Sequence, residues 1–302
     1  MPPPKNVPRL VALPSGVTLA IAEYGAPGGE PVLFFHGWPS ARVQGALLHE
    51  AAAELGVRLI AVDRPGVGFS TPQRGRRLID WPPLVRELAA ELGLARLRVL
   101  GISGGGPYAL VCGWALPDLV ASATVICGAA PLAARGSSHG FNLAYRTLLA
   151  IHRHLPGAVR VLFRLMHPIA RVNPPPWMMI MLRGTLVGPD KATMDDPALS
   201  ELCYAGFRNA WGEYRDGVFE DAQIYAQPWG FRLEEVQVPV RIWHGTEDHN
   251  FSHKLAESMA RQIPRCDLRI VAGEGHYSLP IRRSREILAE LIAPPADTKT
   301  AA

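Results

Sequence analysis

The sequence has no apolar run long enough to span a bilayer, which takes about 20 residues; its longest lipophilic tract is Trp177 to Leu182. The N-terminal MPPPKNVPRL is interrupted by prolines and offers no apolar stretch of the kind a secretory signal needs. An unanchored, cytoplasmic protein is the expectation. Cysteine is scarce: Cys112, Cys127, Cys203 and Cys266 stand far apart with no C-x-x-C pair, which argues against a disulfide framework and predicts free buried thiols in a reducing compartment. Charge of one sign is never concentrated. The formal net charge of +4 is carried by scattered arginines, so no nucleic-acid partner is expected and the basicity alone names no other. There is no internal repeat, no low-complexity tract and no G-x-x-x-x-G-K-[ST] phosphate loop, and the glycines between Asp63 and Thr71 lack the third position of a dinucleotide fingerprint. No cofactor and no metal are expected.

What is present is enough for a large core: 302 residues, 48% of them hydrophobic. Short apolar runs at Val17 to Glu23, Val32 to His36, Arg58 to Asp63, Leu97 to Ile102, Ala123 to Cys127, Val240 to His244 and Leu268 to Val271 read as strands. Between them, Ala41 to Leu55, Trp81 to Leu92, Pro107 to Ala115, Lys254 to Gln262 and Arg283 to Ile292 read as helices. That alternation predicts an α/β protein, a parallel sheet with helices on both faces. It breaks once. From Pro131 to about Gln227 the text has helix period only, interrupted by NPPPW, which predicts an all-helical insertion at 131–227 between core segments 1–130 and 228–302. The ends, 1–6 and 294–302, are rich in Pro, Ala and Thr and read as frayed.

The strand Leu97 to Ile102 runs straight into Gly101-Ile102-Ser103-Gly104-Gly105-Gly106-Pro107. A strand, G-x-S-x-G and a helix make a sharp turn with the serine at its apex, and Gly101 and Gly105 stand where a side chain would collide as the chain doubles back. The pentapeptide by itself is equally compatible with a glycine-rich turn that cradles phosphate. A serine hydroxyl needs a base to take its proton and a carboxylate to orient that base. In the strand-turn-helix form of this chemistry the order is Ser, then Asp or Glu, then His, each after a later strand. VRIWH is followed by Gly245-Thr246-Glu247-Asp248, and LRIVA by Gly273-Glu274-Gly275-His276. Of ten histidines only His249, His253 and His276 follow Asp248; His249 adjoins the acid and His253 opens a helix, which leaves His276 on its own loop. Asp248 is the expected acid, with Glu247 its rival. His249 with His253, or His152 with His154, has metal-pair spacing but no third ligand.

A tight turn at His36-Gly37-Trp38-Pro39, after the strand VLFF, would aim the Trp38 backbone N–H at Ser103. With the Gly104 N–H it makes two oxyanion donors, each worth about 3 to 4 kcal/mol in a transition state. His36 itself reads as a structural residue, and Asp63 to Ser70 as an architectural loop.

HGWP, DRPGVGFS, GISGG, HGTED and GEGH, in this order from Phe34 to His276, resemble the α/β-hydrolase fold superfamily. The resemblance implies an eight-stranded, mostly parallel sheet flanked by helices, with a helical cap inserted after the sixth strand. It also implies a Ser103, Asp248, His276 triad with Trp38 and Gly104 as oxyanion donors. HGWP is similar to the loop of the epoxide hydrolase and haloalkane dehalogenase branches, but those carry an aspartate nucleophile where this chain has Ser103, which suits acyl carbon. Trp38 and Ser40 also depart from the HGGPG loop of the proline iminopeptidase branch. The expected function is hydrolysis, through an acyl-enzyme, of an ester or lactone with a hydrophobic body. Met166, Trp177, Met178, Met179, Met181 and Met194 either line an adaptable pocket for it or simply pack the cap. A carbon-carbon, thioester or amide bond, a slow ligand receptor and cofactor-free oxygen chemistry are the alternatives.

The two acids are separable by experiment. Asp248→Asn should lower kcat on a turned-over ester by up to about 10⁴-fold, whereas Glu247→Gln should stay near wild type; the reverse ranking would make Glu247 the acid.

Overall fold

The structure, a computed structural model, describes residues 7–131, 140–172, 184 and 186–293. The two ends expected to fray, and Trp177, Met178, Met179 and Met181, lie outside the described residues.

Eight strands form one sheet in the order β1-β2-β4-β3-β5-β6-β7-β8. They are β1 (Arg9–Ala12), β2 (Thr18–Gly25), β3 (Glu30–Phe35), β4 (Val57–Val62), β5 (Leu97–Ile102), β6 (Val120–Ile126), β7 (Val240–Gly245) and β8 (Cys266–Val271). β1 pairs with β2 and β2 with β4, both antiparallel, and every pairing from β4 to β8 is parallel. β1 matches none of the apolar runs, because it is a four-residue edge strand with only Val11 buried.

The central strands β3 to β7 read as near-continuous apolar runs because both their faces are covered. Leu33, Phe35, Ile60 and Val62 face Trp81, Leu84, Leu88 and Tyr108 on one side. The alternate residues Phe34, Leu59, Ala61 and Leu100 face Leu48, Ala52, Leu288 and Leu291 on the other. The covering helices are α1 (His49–Glu54), α2 (Trp81–Glu91) and α3 (Gly106–Ala115). Between β6 and β7 come α4 (Leu143–His154), α5 (Pro156–Ala170), α6 (Gly188–Met194), α7 (Pro197–Ala210) and α8 (Gly217–Ala226), and then α9 (His253–Ala260), α10 (Ser278–Arg282) and α11 (Ser284–Ile292) complete the core. Caps mark several starts: the Asn142 side chain accepts from Tyr145 N–H at 3.0 Å, and Asp196 Oδ1 from Ala198 N–H at 2.8 Å. Among the described residues no helix is long and apolar enough to cross a membrane.

Three local expectations need correction. Arg42–Leu48, read as the first half of a helix, is a 3-10 segment, with Gly45 so close to the Tyr24 ring that a side chain would overlap it. Cys127, read as strand, is one residue past β6 and turns left-handed, at φ +47°. Cys203 and Cys266 are free thiols but half-buried, Cys266 because it opens the edge strand β8.

The helices after β6 are tied to the sheet by a buried charge cluster. Asp221 of α8 accepts from Arg64 Nη2 at 2.7 Å, Arg76 Nη2 at 2.7 Å and Tyr108 Oη at 2.7 Å, and all four residues are buried. The carboxyl is held well below the usual range because the two arginines outweigh the cost of burial. Breaking such a cluster from one side leaves uncompensated charge. Asp221→Asn should therefore lower unfolding stability by about 3 to 5 kcal/mol in denaturant titration, against little change for Glu234→Gln, whose partner Arg232 is exposed. Equal stability of the two variants would contradict this account.

Candidate active site

Ser103 follows β5 directly and adopts φ +53°, a left-handed conformation that L-residues rarely take. The neighbouring glycines make it possible: a side chain at Gly101 would overlap the Gly105 carbonyl, and one at Gly105 would overlap the carbonyls of Phe35 and His36. The turn continues as a 3-10 segment, Ser103–Gly105, into α3. It presents Ser103 Oγ above the ends of the parallel strands.

His276 and Asp248 reach the same point from the loops after β8 and β7. His276 Nε2 is 3.0 Å from Ser103 Oγ, and His276 Nδ1 is 2.8 Å from Asp248 Oδ2. A carboxylate only accepts, so Nδ1 carries the proton in neutral His276 and Nε2 offers its lone pair to the serine hydroxyl. The other carboxylate oxygen, Oδ1, accepts from Asn250 N–H at 2.8 Å and Phe251 N–H at 2.9 Å. Ser103 is 6%, His276 6% and Asp248 9% exposed, so water screens the pair weakly. Burial is the largest single influence on both groups and opposes charge on each, but their mutual attraction outweighs it. His276 is raised above the ordinary imidazole value, and Asp248 is held well below the carboxylate range.

Of the sequence candidates, Ser103, Asp248 and His276 are thus in one hydrogen-bonded chain. Glu247 is exposed, as is His249. His253 opens α9 and lies 3.9 Å from Glu257. Among the described residues the group of potential metal ligands within 4.8 Å of one another is Cys127, Asp248 and His276, which contains the two groups hydrogen-bonded to each other in the chain to Ser103. Gly104 lies in the first turn after Ser103, where backbone N–H groups have no partner inside the helix. The Gly37 and Trp38 turn lies beside it: a side chain at Gly37 would reach Ser103 Cβ at 3.5 Å, and one at Gly104 would reach Trp38 Cβ at 2.9 Å.

Several supporting residues carry no sequence signal of their own. Arg64 donates to the carbonyls of His36 and Gly37, the latter at 2.9 Å, and so clamps the loop that bears Trp38. Tyr225 Oη donates to the Gly104 carbonyl at 2.9 Å. His244, fully buried, sits behind Asp248, its Nε2 2.9 Å from the Phe251 carbonyl and 3.3 Å from Asp248 Oδ2. Both neighbours are acceptors, so Nε2 holds its proton. The expected structural role of His36 agrees with its full burial and its Nδ1 contact to the Gly37 carbonyl at 2.8 Å.

Two cavities meet at Ser103. One, of about 70 Å³, is walled by Trp38, Tyr145, Phe163, Tyr225 and Phe251. The other, of about 480 Å³, is walled by Met166, Met194, Tyr204, Phe207 and His276 among others. Met166 and Met194 therefore wall a cavity that opens at Ser103. With His276 in its neutral form, the buried hydroxyl, the imidazole and the fixed carboxylate can together deliver an alkoxide-like oxygen to a carbonyl held between these cavities.

The family model described as Alpha/beta hydrolase family matches residues 32–291. No curated protein sequence matches the chain. Similar solved structures include a thermophilic esterase from Thermogutta terrifontis with malate bound, at 20% identity and TM-score 0.67, covering 95% of this chain and 100% of that one. An esterase from Exiguobacterium antarcticum is 18% identical at TM-score 0.70, with 95% and 100% covered. An enol-lactonase from Burkholderia xenovorans is 15% identical at TM-score 0.69, with 94% and 99% covered. At these identities the likeness is one of fold.

The ion pair has a signed pH consequence. With a raised folded pKa, His276 contributes stability that is fully present below the unfolded histidine value, about 6.5, and is lost as pH rises through the folded value. Ring-proton NMR should show His276 titrating above an ordinary histidine, and Asp248→Asn should bring it down. A wild-type value at or below the ordinary one would mean that burial wins.

Proposed function

The chain belongs to the alpha/beta hydrolase family, and from that premise we propose that it is a serine hydrolase that cleaves an ester or lactone of a hydrophobic small molecule through an acyl-enzyme on Ser103. The observation that carries this reading is the continuous chain from Ser103 Oγ through His276 to Asp248, at 3.0 and 2.8 Å, placed where two cavities meet.

In the first step Ser103 Oγ attacks the carbonyl carbon while His276 Nε2 takes its proton. Asp248 stabilises the imidazolium and keeps the ring oriented. The Trp38 and Gly104 backbone N–H groups hold the oxyanion, and the imidazolium then protonates the leaving oxygen. In the second step His276 takes a proton from water, the water oxygen attacks the acyl carbon, and Ser103 leaves with the proton returned to it. The arms of the substrate are unequal, a compact apolar one beside Trp38 and Phe163 and a bulkier one toward Tyr204 and Phe207. Ester and lactone chemistry is also what the names of the Thermogutta, Exiguobacterium and Burkholderia structures carry. The same reading keeps the protein in the cytoplasm, where its four free cysteines stay reduced.

A fluorophosphonate probe should label Ser103, and Ser103→Ala should abolish labelling and ester turnover together. On the wild type, kcat/KM should rise with pH through one apparent pKa above the ordinary histidine value. His276→Ala should lower kcat on the order of 10⁴-fold or more and remove that limb. Peptide mapping that places the adduct on Ser70 or Ser278 would refute the nucleophile, and ligand-dependent thermal stabilisation without product would favour a receptor.

A further inference from the structure

The loop that carries His276 is held by a carboxylate from outside the sheet. Asp190, the third residue of α6, is 5% exposed, and its three hydrogen bonds all go to successive backbone N–H groups of that loop. Oδ2 accepts from His276 N–H at 2.9 Å, and Oδ1 accepts from Tyr277 N–H at 2.8 Å and Ser278 N–H at 2.9 Å. The approach is so close that a side chain at Gly275 would overlap the carboxylate. On the same loop Gly275 N–H donates to Ser278 Oγ at 2.7 Å, and Arg282 at the end of α10 reaches the Pro189 carbonyl at 3.3 Å. The backbone before, at and after His276 is thus fastened at both ends, and the fastener belongs to the helices inserted between β6 and β7. Two residues of this region, Met194 of α6 itself and Tyr204 of α7, also wall the larger cavity.

We propose that Asp190 is a positioning residue for His276: by accepting three consecutive N–H groups it fixes where the imidazole stands between Ser103 and Asp248, and so makes the base depend on the placement of the inserted helices. The proposal rests on reading His276 as the base. It differs from a general stabilising role in one respect, since a carboxylate this near adds negative potential at the ring as well as fixing its backbone. The groups facing His276 are Asp248 from the loop after β7 with His244 behind it, Cys127 from the end of β6, Tyr277 on its own loop, and Asp190. Burial opposes the imidazolium and Asp248 favours it most, and the Asp190 charge adds to it in the same direction.

The test is Asp190→Asn, nearly isosteric, assayed with p-nitrophenyl butyrate across pH. In this variant one oxygen still accepts from Tyr277 and Ser278, but the amide N–H₂ meets the His276 N–H donor to donor. The expected result is a kcat reduced about 10- to 100-fold with KM nearly unchanged, as for a small misplacement of a reacting group, and an acidic limb of kcat/KM shifted to lower pH. Asp190→Glu, which keeps the charge and the acceptors, should return both toward wild type. If Asp190→Asn does not fold, Asp190→Ser, uncharged but able to accept one N–H, replaces it. An unmoved limb, whatever the loss in kcat, or a Glu variant no closer to wild type than the Asn variant, overturns the proposal. Ser103→Ala in the same assay separates the two levels: if it stays active the reading of the site falls, and if it is dead while Asp190→Asn matches wild type only the positioning role falls.

Discussion

At Ser103 the backbone is held at φ +53°, in a region costing of order 1 to 3 kcal/mol for a residue with a side chain, by closely packed backbone around the turn. Gly101 and Gly105 allow β5 and the turn after it to pass within van der Waals limits of each other and of the strand end at Phe35. β5 is paired in parallel with β3 on one side and β6 on the other, and its last residues before the turn, Val99 to Gly101, are in register with both. The hydroxyl projects above the ends of the parallel strands, and the loops after β3, β7 and β8 converge on it.

Convergence alone does not give a hydrogen-bond chain of 2.8 and 3.0 Å; the loops must be held. Each is secured by a buried charged group that makes several bonds. Asp248 is fixed by two backbone N–H groups of its own turn, the His36-Gly37 loop by the Arg64 guanidinium, and the His276 loop by Asp190. Arg64 in turn depends on Asp221, and both Asp221 and Asp190 come from the helices between β6 and β7. Those helices are consequently part of the support of the site as well as the wall of its cavities, and a change in them can reach the Ser103–His276 contact through the backbone without touching either side chain.

The readable part of this arrangement was the part encoded locally. The central strands β3 to β7 are legible because their apolar runs are buried on both faces, whereas β1, an exposed edge strand with one buried residue, has no such run; β8, also at an edge, is legible only from the short run Leu268 to Val271. Ser103 stood out because the tight turn demands glycine at fixed offsets, and His276 could be selected from ten histidines by order along the chain. Arg64 lay in a loop recognised as architectural, but its partner Asp221 is 157 residues away. Asp190, Tyr225 and His244 gave no signal: one carboxylate, one phenol and one imidazole in helix or strand text look like any other until the backbone group each one meets is known.

Most strands and core helices, the place of the glycine-bounded turn and the residues able to meet there follow from the sequence alone, through hydrophobic period and steric limits acting over a few residues. Tertiary structure alone decided that Asp248 rather than Glu247 faces His276, that the imidazole is raised rather than lowered by its surroundings, and that Asp190 holds its loop. Each of these outcomes is a balance of burial against charge, or a hydrogen bond across 86 residues of chain, and such terms depend on distances that only the packed molecule defines.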